Sequence, residues 1–351
     1  MKLTAATAFP AALSVHRHPD RASWLAARRS GLGASDVPKI LGVSAYGGPW
    51  SVWADRALPG RLEHVSRADA AGRARGHREE GRILEDLAGA LGVQTRGPLG
   101  ELSVRGPGPL LVTPDGLAVD GADVGGVECK TDRSPFQWGP SQEIARWTPD
   151  ARRIVREDYA AQCYALLAAT GWPWVLLAVR RDLDDLRWYR IVRDEDTQTG
   201  LVELAADWWD RHVVQGVRPE VDDSEACARA LAALYPPTTD RSTRAATEGE
   251  AAAAVELAAI GRTQDALSAR EALLKHWLAD QIGATGHYAI EWPSGQKRPH
   301  KVNFQKSGGG KRIDWTSLLA DHPELADLAS RYTVTSPESR SVRVYLQESS
   351  R

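Results

Sequence analysis

The spacing of apolar and polar positions changes several times along the chain. Residues 20–29 and 36–41 have the side-chain spacing of two short helices, with Pro38 in the first turn of the second. A longer helix is predicted over 67–91, where a charged run gives way to apolar positions, and it ends at Gly92. The first ninety residues are therefore predicted to be largely helical.

From about residue 101 the pattern favours strands. Short apolar stretches separated by Pro-Gly, Pro-Asp-Gly and Asp-Gly turn signals predict an antiparallel β meander over 101–130. A helix over 151–170, strands over 174–180 and 186–192, and a helix over 199–214 follow. This order predicts an α/β (α+β) fold with a central mixed β-sheet flanked by helices.

The C-terminal third has a different organisation. Residues 223–249 are rich in Ser, Thr and Asp and predict a linker that contains one short Ala-rich helix. Beyond it we expect a long amphipathic helix, a strand-like stretch, a shorter helix and a last strand, at 250–281, 288–304, 315–328 and 341–346. The chain is therefore predicted to consist of a domain at 1–222, the linker at 223–249 and a small C-terminal α+β module at 250–351.

The overall charge excludes one class of DNA-binding protein. The 351 residues include 44 Lys+Arg and 46 Asp+Glu, for a net charge of −2. This balance argues against a uniformly basic, histone-like protein. Because nucleic-acid binding requires only a local basic surface, other DNA-binding classes remain open.

Cysteine use and hydropathy bear on the cellular compartment. Cys129, Cys163 and Cys227 are too few and too scattered for a disulfide framework or a CxxC metal site. No segment approaches the ~20 apolar residues that span a membrane. The N-terminus is a poor signal peptide, since Pro10 interrupts its apolar stretch. We therefore expect a cytoplasmic protein that does not associate with a membrane.

The most informative chemistry lies in the predicted meander. Asp115 stands in a Pro-Asp-Gly turn, and Glu128-Cys129-Lys130 follows thirteen residues later on a predicted strand. Because strand side chains alternate, Glu128 and Lys130 share one face, which Asp115 can also reach. Two adjacent carboxylates favour a hard cation between them, and a lysine beside them suits metal-assisted phosphodiester hydrolysis. A solvated Glu–Lys pair on an exposed strand is the alternative.

These residues resemble the PD-(D/E)xK nuclease superfamily, and within it the phage lambda exonuclease and YqaJ-type viral recombinase group. Residues 28–44 resemble that group's N-terminal R-x-x-G-I-G-x-S-D signature, and 76–80 resemble its helical G-x-x-x-E motif. Residues 159–162 match its Y-x-x-Q motif, and 170–171 with the following strand pair fit its layout. The resemblance covers about residues 20–220 and implies a restriction-endonuclease-like core.

The resemblance implies roles for the residues of the meander. Asp115 and Glu128 would be metal ligands, with the carbonyl of Cys129 as a further ligand. Lys130 would orient or activate the attacking water, and Gln162 would lie near the scissile phosphate or Lys130. The implied cofactor is Mg²⁺ or Mn²⁺, as one or two ions.

Other motif residues would bind the DNA or complete the metal site. Arg28 and Ser35 would hold the 5′-terminal phosphate, and Tyr159 would also contribute to DNA binding. Glu80 would supply a further catalytic acidic group, directly to the metal or through water. A second G-x-x-x-E motif ends at Glu85. Which of the two glutamates corresponds to the family's acidic residue stays open, and Glu80 is preferred.

The implied activity is an exonuclease acting on the ends of linear duplex DNA from 5′ to 3′, in a phage or prophage context. Its 3′ single strands would pass to a single-strand annealing protein, and the family resemblance suggests a homo-oligomeric ring trimer. Two alternatives remain: another nuclease of the superfamily that cuts single strands or internal sites, and a catalytically silent DNA-binding recombination accessory protein.

A basic and aromatic stretch at 291–312 is a second candidate DNA contact. Lys297, Arg298, Lys301 and Lys306 are interspersed with aromatic residues, a pattern that can track phosphates and stack on bases. A solvated hairpin packed against the long helix at 250–281 would produce the same pattern, and both interpretations remain open.

Overall fold

The computed structural model divides the chain into two compact units, Met1–Tyr235 and Pro236–Arg351. It describes residues 9, 13–58, 67–132, 134–182, 184–236, 242–284, 289–291, 301–303 and 314–332. The first unit contains two β-sheets and the predicted catalytic residues, and the second is built around one long helix.

A six-stranded sheet forms the centre of the first unit. Its strands are β2 (Gln94–Arg96), β5 (Gly116–Asp120), β6 (Asp123–Thr131), β7 (Gln142–Ile144), β8 (Trp174–Asp182) and β9 (Asp185–Val192). Their spatial order is β2-β5-β6-β8-β9-β7, with β6–β8 and β7–β9 parallel and the other pairs antiparallel. The predicted mixed sheet is therefore confirmed.

The helices of the first unit begin and end close to their sequence signals. They are α1 (Arg21–Arg28), α2 (Val37–Ile40), α3 (Pro49–Ala57), α4 (Arg67–Leu91), α5 (Pro149–Ile154), α6 (Glu157–Thr170), α7 (Glu195–Trp209) and α8 (Glu225–Leu234). A 3₁₀ turn at Ala34–Asp36 precedes α2, and a π turn at Asp210–Val214 continues α7. Gly171 adopts φ 72° and ends α6, because glycine enters the left-handed region without a Cβ penalty.

The two faces of the sheet are covered by different helices. On β8, Val175, Leu177 and Val179 belong to the apolar cluster that includes α6. Their neighbours Leu176 and Ala178 point to the opposite face and pack with the apolar side of α4. Strand alternation thus places α4 and α6 on opposite sides of the sheet, as the prediction of a helix-flanked sheet required.

The predicted meander is divided between two sheets. Strand β3 (Leu102–Arg105) pairs with β1 (Ser14–Arg17) and with β4 (Leu111–Val112) in a separate antiparallel sheet. Only β5 and β6 form the expected hairpin of the central sheet. The prediction of a single meander over 101–130 is therefore wrong, because β3 pairs with β1 and β4 and not with β5.

The predicted single helix over 151–170 is also wrong, because the structure has α5 and α6 there. Val155 and Arg156 between them have extended backbone, with ψ 135° and 132°. The Arg156 guanidinium binds the Asp158 carboxylate through two nitrogens, at 3.1 and 2.7 Å, and donates to Asp132 at 3.4 Å. The contact with Asp132, 24 positions away in the sequence, is not visible in the local helical pattern.

The first unit continues beyond the predicted boundary at residue 222. Helix α8 lies within the predicted linker at 223–249, and it buries Cys227 and Ala230 against Trp50 and Ala54 of α3. It is capped by Ser224, whose Oγ accepts from the Cys227 N–H at 3.0 Å. Because this helix packs on α3, the boundary between the units falls after Tyr235.

The second unit contains helices and one described hairpin. Its elements are α9 (Glu248–Ala284), β10 (Ala289–Glu291), β11 (Lys301–Asn303), α10 (Trp315–Asp321) and α11 (Ala326–Tyr332), with β10 and β11 antiparallel. The predicted continuous helix over 315–328 is wrong, since a 3₁₀ turn at Pro323–Leu325 interrupts it. The strand predicted at 341–346 lies outside the described residues. Among the described helices none is long and apolar enough to cross a membrane.

Candidate active site

The β5–β6 hairpin brings the predicted acidic residues together. Asp115 immediately precedes β5, and its Oδ2 accepts from the backbone N–H of Cys129 at 2.8 Å. Val127 and Cys129 pack into the apolar cluster under α4, so Glu128 between them points to the α6 face. This arrangement confirms the predicted alternation along the strand.

Glu128 is the centre of the candidate site and is 2% exposed. Its Oε1 accepts from Lys130 Nζ at 2.6 Å and from Gln162 Nε2 of α6 at 2.5 Å. Its Oε2 is buried and has no hydrogen-bond partner among the described residues. One oxygen is therefore fixed by two donors, while the other keeps its capacity to accept.

Burial and charge shift the ionisation of this group. Burial, and then the nearby Glu128 carboxylate, raise the pKa of Asp115 well above its ordinary value, and Lys130 only partly opposes them. Burial acts to lower the pKa of Lys130, but Glu128 and Asp115 outweigh it and raise that pKa. The two carboxylates therefore stabilise the ammonium form of Lys130, which can donate hydrogen bonds.

The donors at this site fit a hard divalent cation. The described residues contain no preformed group of three or more His, Cys, Asp and Glu side chains that could hold a metal ion. The partnerless Oε2 of Glu128 nevertheless offers a ligand atom, and a cation would offset the burial and the Glu128 charge that disfavour ionised Asp115. Carboxylate oxygens, with the Cys129 carbonyl, are ligands suited to Mg²⁺ or Mn²⁺.

Of the two candidate glutamates on α4, Glu80 is associated with this site. Its negative charge is among the causes that raise the pKa of Asp115. Its Oε1 pairs with His77 Nδ1 at 2.8 Å, and its side chain is 16% exposed. Glu85 is exposed on the same helix. These observations favour Glu80, and not Glu85, as the glutamate that corresponds to the family's G-x-x-x-E motif.

A small cavity contains the predicted phosphate-binding residues Arg28 and Ser35. Arg28 Nη2 donates to Ser35 Oγ at 2.7 Å. The cavity is lined by Arg28, Gly33, Ala34, Ser35, Leu111, Thr113 and Gln162. Because Gln162 also contacts Glu128, one side chain borders both the cavity and the acidic site.

A buried carboxylate that the sequence patterns did not assign supports this cavity. Asp36 is 2% exposed and accepts from Arg56 Nη2 at 2.5 Å, from Gly33 N at 3.0 Å and from Lys39 Nζ at 3.2 Å. Arg28 Nη2 lies 3.9 Å from Asp36 Oδ1, the oxygen that also accepts from Lys39. Although burial raises it, the charges of Arg56 and its neighbours hold the pKa of Asp36 well below its usual range.

Tyr159 lies below the surface of the candidate site. Its side chain is 5% exposed, and its hydroxyl is 3.1 Å from that of Tyr46. Lys130 Nζ is 5.3 Å from the centre of its ring, and the Arg156 guanidinium is 4.4 Å from it. Direct DNA contact by Tyr159 stays a prediction. Tyr46 and Arg156 were missed in the sequence because neither belongs to a recognised motif.

The predicted basic track of the second unit is only partly described. Lys301 lies on β11 opposite Glu291. Lys297, Arg298 and Lys306 lie outside the described residues. A DNA contact at these four residues therefore stays a prediction.

Comparisons with known proteins agree with the motif order. Residues 23–173 match the family model of the YqaJ-like viral recombinase domain. The chain is 23% identical over 333 residues to the uncharacterized protein YqaJ of Bacillus subtilis (strain 168), an alignment that covers 92% of this chain and 94% of that protein.

Two similar solved structures each cover 55% of this chain. The crystal structure of LHK-Exo in complex with dAMP is 18% identical, with a TM-score of 0.40 over 55% of this chain and 92% of that chain. The alkaline exonuclease LHK-Exo from Laribacter hongkongensis is 18% identical, with a TM-score of 0.35 over 55% and 98%. The family match confirms the resemblance seen in the motifs, because residues 23–173 of this chain are similar to the YqaJ-like viral recombinase domain.

Proposed function

We propose that the protein is a divalent-metal-dependent DNA exonuclease that degrades one strand of linear duplex DNA from its 5′ end. The observation that carries the proposal is the convergence of Lys130 and Gln162 on Glu128, beside a cavity bordered by Arg28 and Ser35. A phosphodiester hydrolase needs such an acidic site next to a cationic phosphate pocket. The viral recombinase family of residues 23–173 supports DNA as the substrate.

The acidic residues would hold the metal. Asp115 and Glu128 are the proposed side-chain ligands, with the Cys129 carbonyl as a backbone ligand and Glu80 acting directly or through water. The cofactor is proposed to be Mg²⁺ or Mn²⁺, as one or two ions. When bound, such an ion lowers the pKa of a ligated water and stabilises charge on the phosphoryl oxygens.

The remaining side chains would orient the reactants. Lys130 would orient or activate the attacking water, and its ammonium form can donate a hydrogen bond to a nonbridging phosphate oxygen. Gln162 donates to Glu128 Oε1, and the partnerless Oε2 would be available to bind the cation. Gln162 also borders the cavity, so it would contact both the metal ligand Glu128 and a phosphate bound in the cavity.

The cavity would select the 5′ end. Arg28 and Ser35 offer a guanidinium and a hydroxyl, which bind the oxygens of a terminal phosphate. Because the cavity and Glu128 share Gln162, a terminal phosphate held there would place the following phosphodiester at the acidic site. Repetition would give 5′ to 3′ digestion and leave 3′ single strands. Transfer of these strands to an annealing protein, assembly as a ring trimer and DNA contact by Lys297, Arg298, Lys301 and Lys306 complete the proposal.

Comparing DNA topologies tests the activity. Linear duplex DNA and covalently closed circular DNA of the same sequence are incubated with the protein in Mg²⁺ and in EDTA. We expect digestion of the linear form only, and only with Mg²⁺. Appreciable cutting of the closed circle would instead favour an internal nuclease, and binding without any digestion would favour a silent accessory protein.

A further inference from the structure

Tyr46 is an exposed aromatic residue beside the candidate active site. Its side chain is 62% exposed, in the segment between α2 and α3. Two contacts hold it, because its N–H donates to Ser44 Oγ at 3.0 Å and its hydroxyl lies 3.1 Å from that of Tyr159. A large ring that is anchored at its hydroxyl and otherwise open to solvent is suited to contact a ligand.

The side chains behind Tyr46 are packed rings and an ion-paired arginine. The Tyr159 ring stacks on Trp138, with centroids 5.9 Å apart and planes inclined by 20°. The Arg156 guanidinium lies 5.8 Å from the Tyr46 ring and 4.4 Å from the Tyr159 ring. Because Asp158 and Asp132 neutralise Arg156, it buttresses the rings and has little capacity left for a phosphate.

The Tyr159 ring, which contacts Tyr46, also lies beside Lys130 of the acidic site. Lys130 Nζ lies 5.3 Å from the Tyr159 ring centre and donates to Glu128 Oε1 at 2.6 Å. Tyr159 therefore contacts both the exposed Tyr46 and Lys130. This series of contacts connects the Tyr46 ring with the site at which the scissile phosphate is proposed to bind.

We propose that Tyr46 is a substrate-contacting residue whose phenol ring stacks on a nucleobase of the strand held at the Glu128–Lys130 site. Stacking on an aromatic ring tolerates every base, since each base has a π-face, and it contributes about 1–3 kcal/mol per base in single-strand binding proteins. Such a contact suits an enzyme that must advance through any sequence. The inference rests on the proposed exonuclease function.

The test uses the full-length protein and 5′-phosphorylated duplex DNA with 2-aminopurine as the first, second or third nucleotide of the 5′-terminated strand. Fluorescence is read with Ca²⁺ in place of Mg²⁺, and KM and kcat are then measured in Mg²⁺. We expect the wild type to quench one of the three positions. Tyr46→Ala should lose that quenching and raise KM for DNA about tenfold, with a smaller effect on kcat.

Two further variants separate stacking from other effects. Tyr46→Phe keeps the ring and loses the hydroxyl contact, so it should retain the quenching. Tyr235 is another exposed tyrosine of the first unit, at 47%, and its hydroxyl accepts from Arg218. Tyr235→Ala should match the wild type in KM and in quenching, which controls for the loss of any surface aromatic.

The outcomes distinguish this inference from the proposed function. If the wild type digests DNA but Tyr46→Ala shows unchanged quenching and KM, the stacking role is overturned and the exonuclease proposal stands. If Tyr46→Phe loses as much as Tyr46→Ala, the hydroxyl and not the ring is responsible, which also overturns stacking. If the wild type digests no DNA in Mg²⁺, both proposals fail.

Discussion

Gln162 donates from its side-chain amide to Glu128 Oε1 at 2.5 Å, which joins helix α6 to the carboxylate at the centre of the acidic site. Lys130 donates to the same oxygen, whereas the other oxygen of Glu128 has no hydrogen-bond partner among the described residues. The contact links the two halves of the proposed mechanism, because Gln162 also borders the cavity that contains Arg28 and Ser35.

Replacement of Gln162 tests this link. Gln162→Leu keeps the approximate size of the side chain but removes the hydrogen bond to a charged carboxylate, worth about 1.5–3 kcal/mol. We expect the single-turnover cleavage rate in Mg²⁺ to fall about 10- to 100-fold. Gln215→Leu, at an exposed glutamine beyond α7, is the matched control and should cleave at the wild-type rate. Equal rates for both variants would remove Gln162 from the mechanism.

Arg28 should determine the preference for phosphorylated ends. Arg28→Ala removes the guanidinium from the cavity, so digestion of 5′-phosphorylated duplex should slow to the rate of the 5′-hydroxyl duplex. The measurement is the ratio of the two initial rates. Arg21→Ala on the same helix removes a charge that does not line the cavity, and it should preserve the ratio. An unchanged ratio in Arg28→Ala would contradict the phosphate assignment.

The two glutamates of helix α4 offer a matched pair. Glu80 adds to the negative potential at Asp115, whereas Glu85 is exposed. Loss of a group that supports metal ligands typically costs about 10- to 100-fold in metal affinity or activity. We expect Glu80→Gln to require correspondingly more Mg²⁺ for half-maximal cleavage and Glu85→Gln to behave as the wild type. The reverse order would assign the acidic role to Glu85.

Asp36 should contribute stability that is lost in acid. The Arg56, Lys39 and Arg28 charges outweigh burial and hold its pKa below the ordinary aspartate value of about 3.9. A carboxyl whose folded pKa is depressed stabilises the fold above its unfolded pKa and loses that effect as pH falls below about 4. Unmaking a buried ion pair costs about 3–5 kcal/mol, so Asp36→Asn should lower the free energy of unfolding by that amount at pH 7.

Urea unfolding followed by tryptophan fluorescence from pH 7 to pH 3 measures this effect. The difference between the wild type and Asp36→Asn should shrink as the pH falls through 4. A constant difference across the series would show that Asp36 does not act through its ionised form.

Strand periodicity was sufficient to predict how the side chains of β6 are arranged. Alternation correctly separated Glu128 from Val127 and Cys129 without any tertiary information. The contact with Gln162 required knowledge that α6 packs on the same face, which the Y-x-x-Q resemblance suggested but periodicity did not. Local pattern and family motif thus contributed different parts of the site.

Features that depend on contacts between residues far apart in the sequence could not be predicted from local patterns. At the break before α6, Arg156 forms an ion pair with Asp132, 24 positions away in the sequence. The Asp36–Arg56 pair joins residues twenty positions apart, and although Asp36 stands in the N-terminal signature, Arg56 belongs to no motif. Helix α8 belongs to the first unit because of its packing on α3. In each case a nonlocal contact outweighed local composition.

The most direct test of the central claim is digestion of linear, 5′-phosphorylated duplex DNA labelled at either the 5′ or the 3′ end, in Mg²⁺, by the wild type and by Glu128→Gln. The account predicts that the wild type releases the 5′ label first. It also predicts that Glu128→Gln, which removes one ligand charge from the metal site, slows release about a thousandfold. Early release of the 3′ label would contradict the polarity, and wild-type digestion by Glu128→Gln would contradict the site itself.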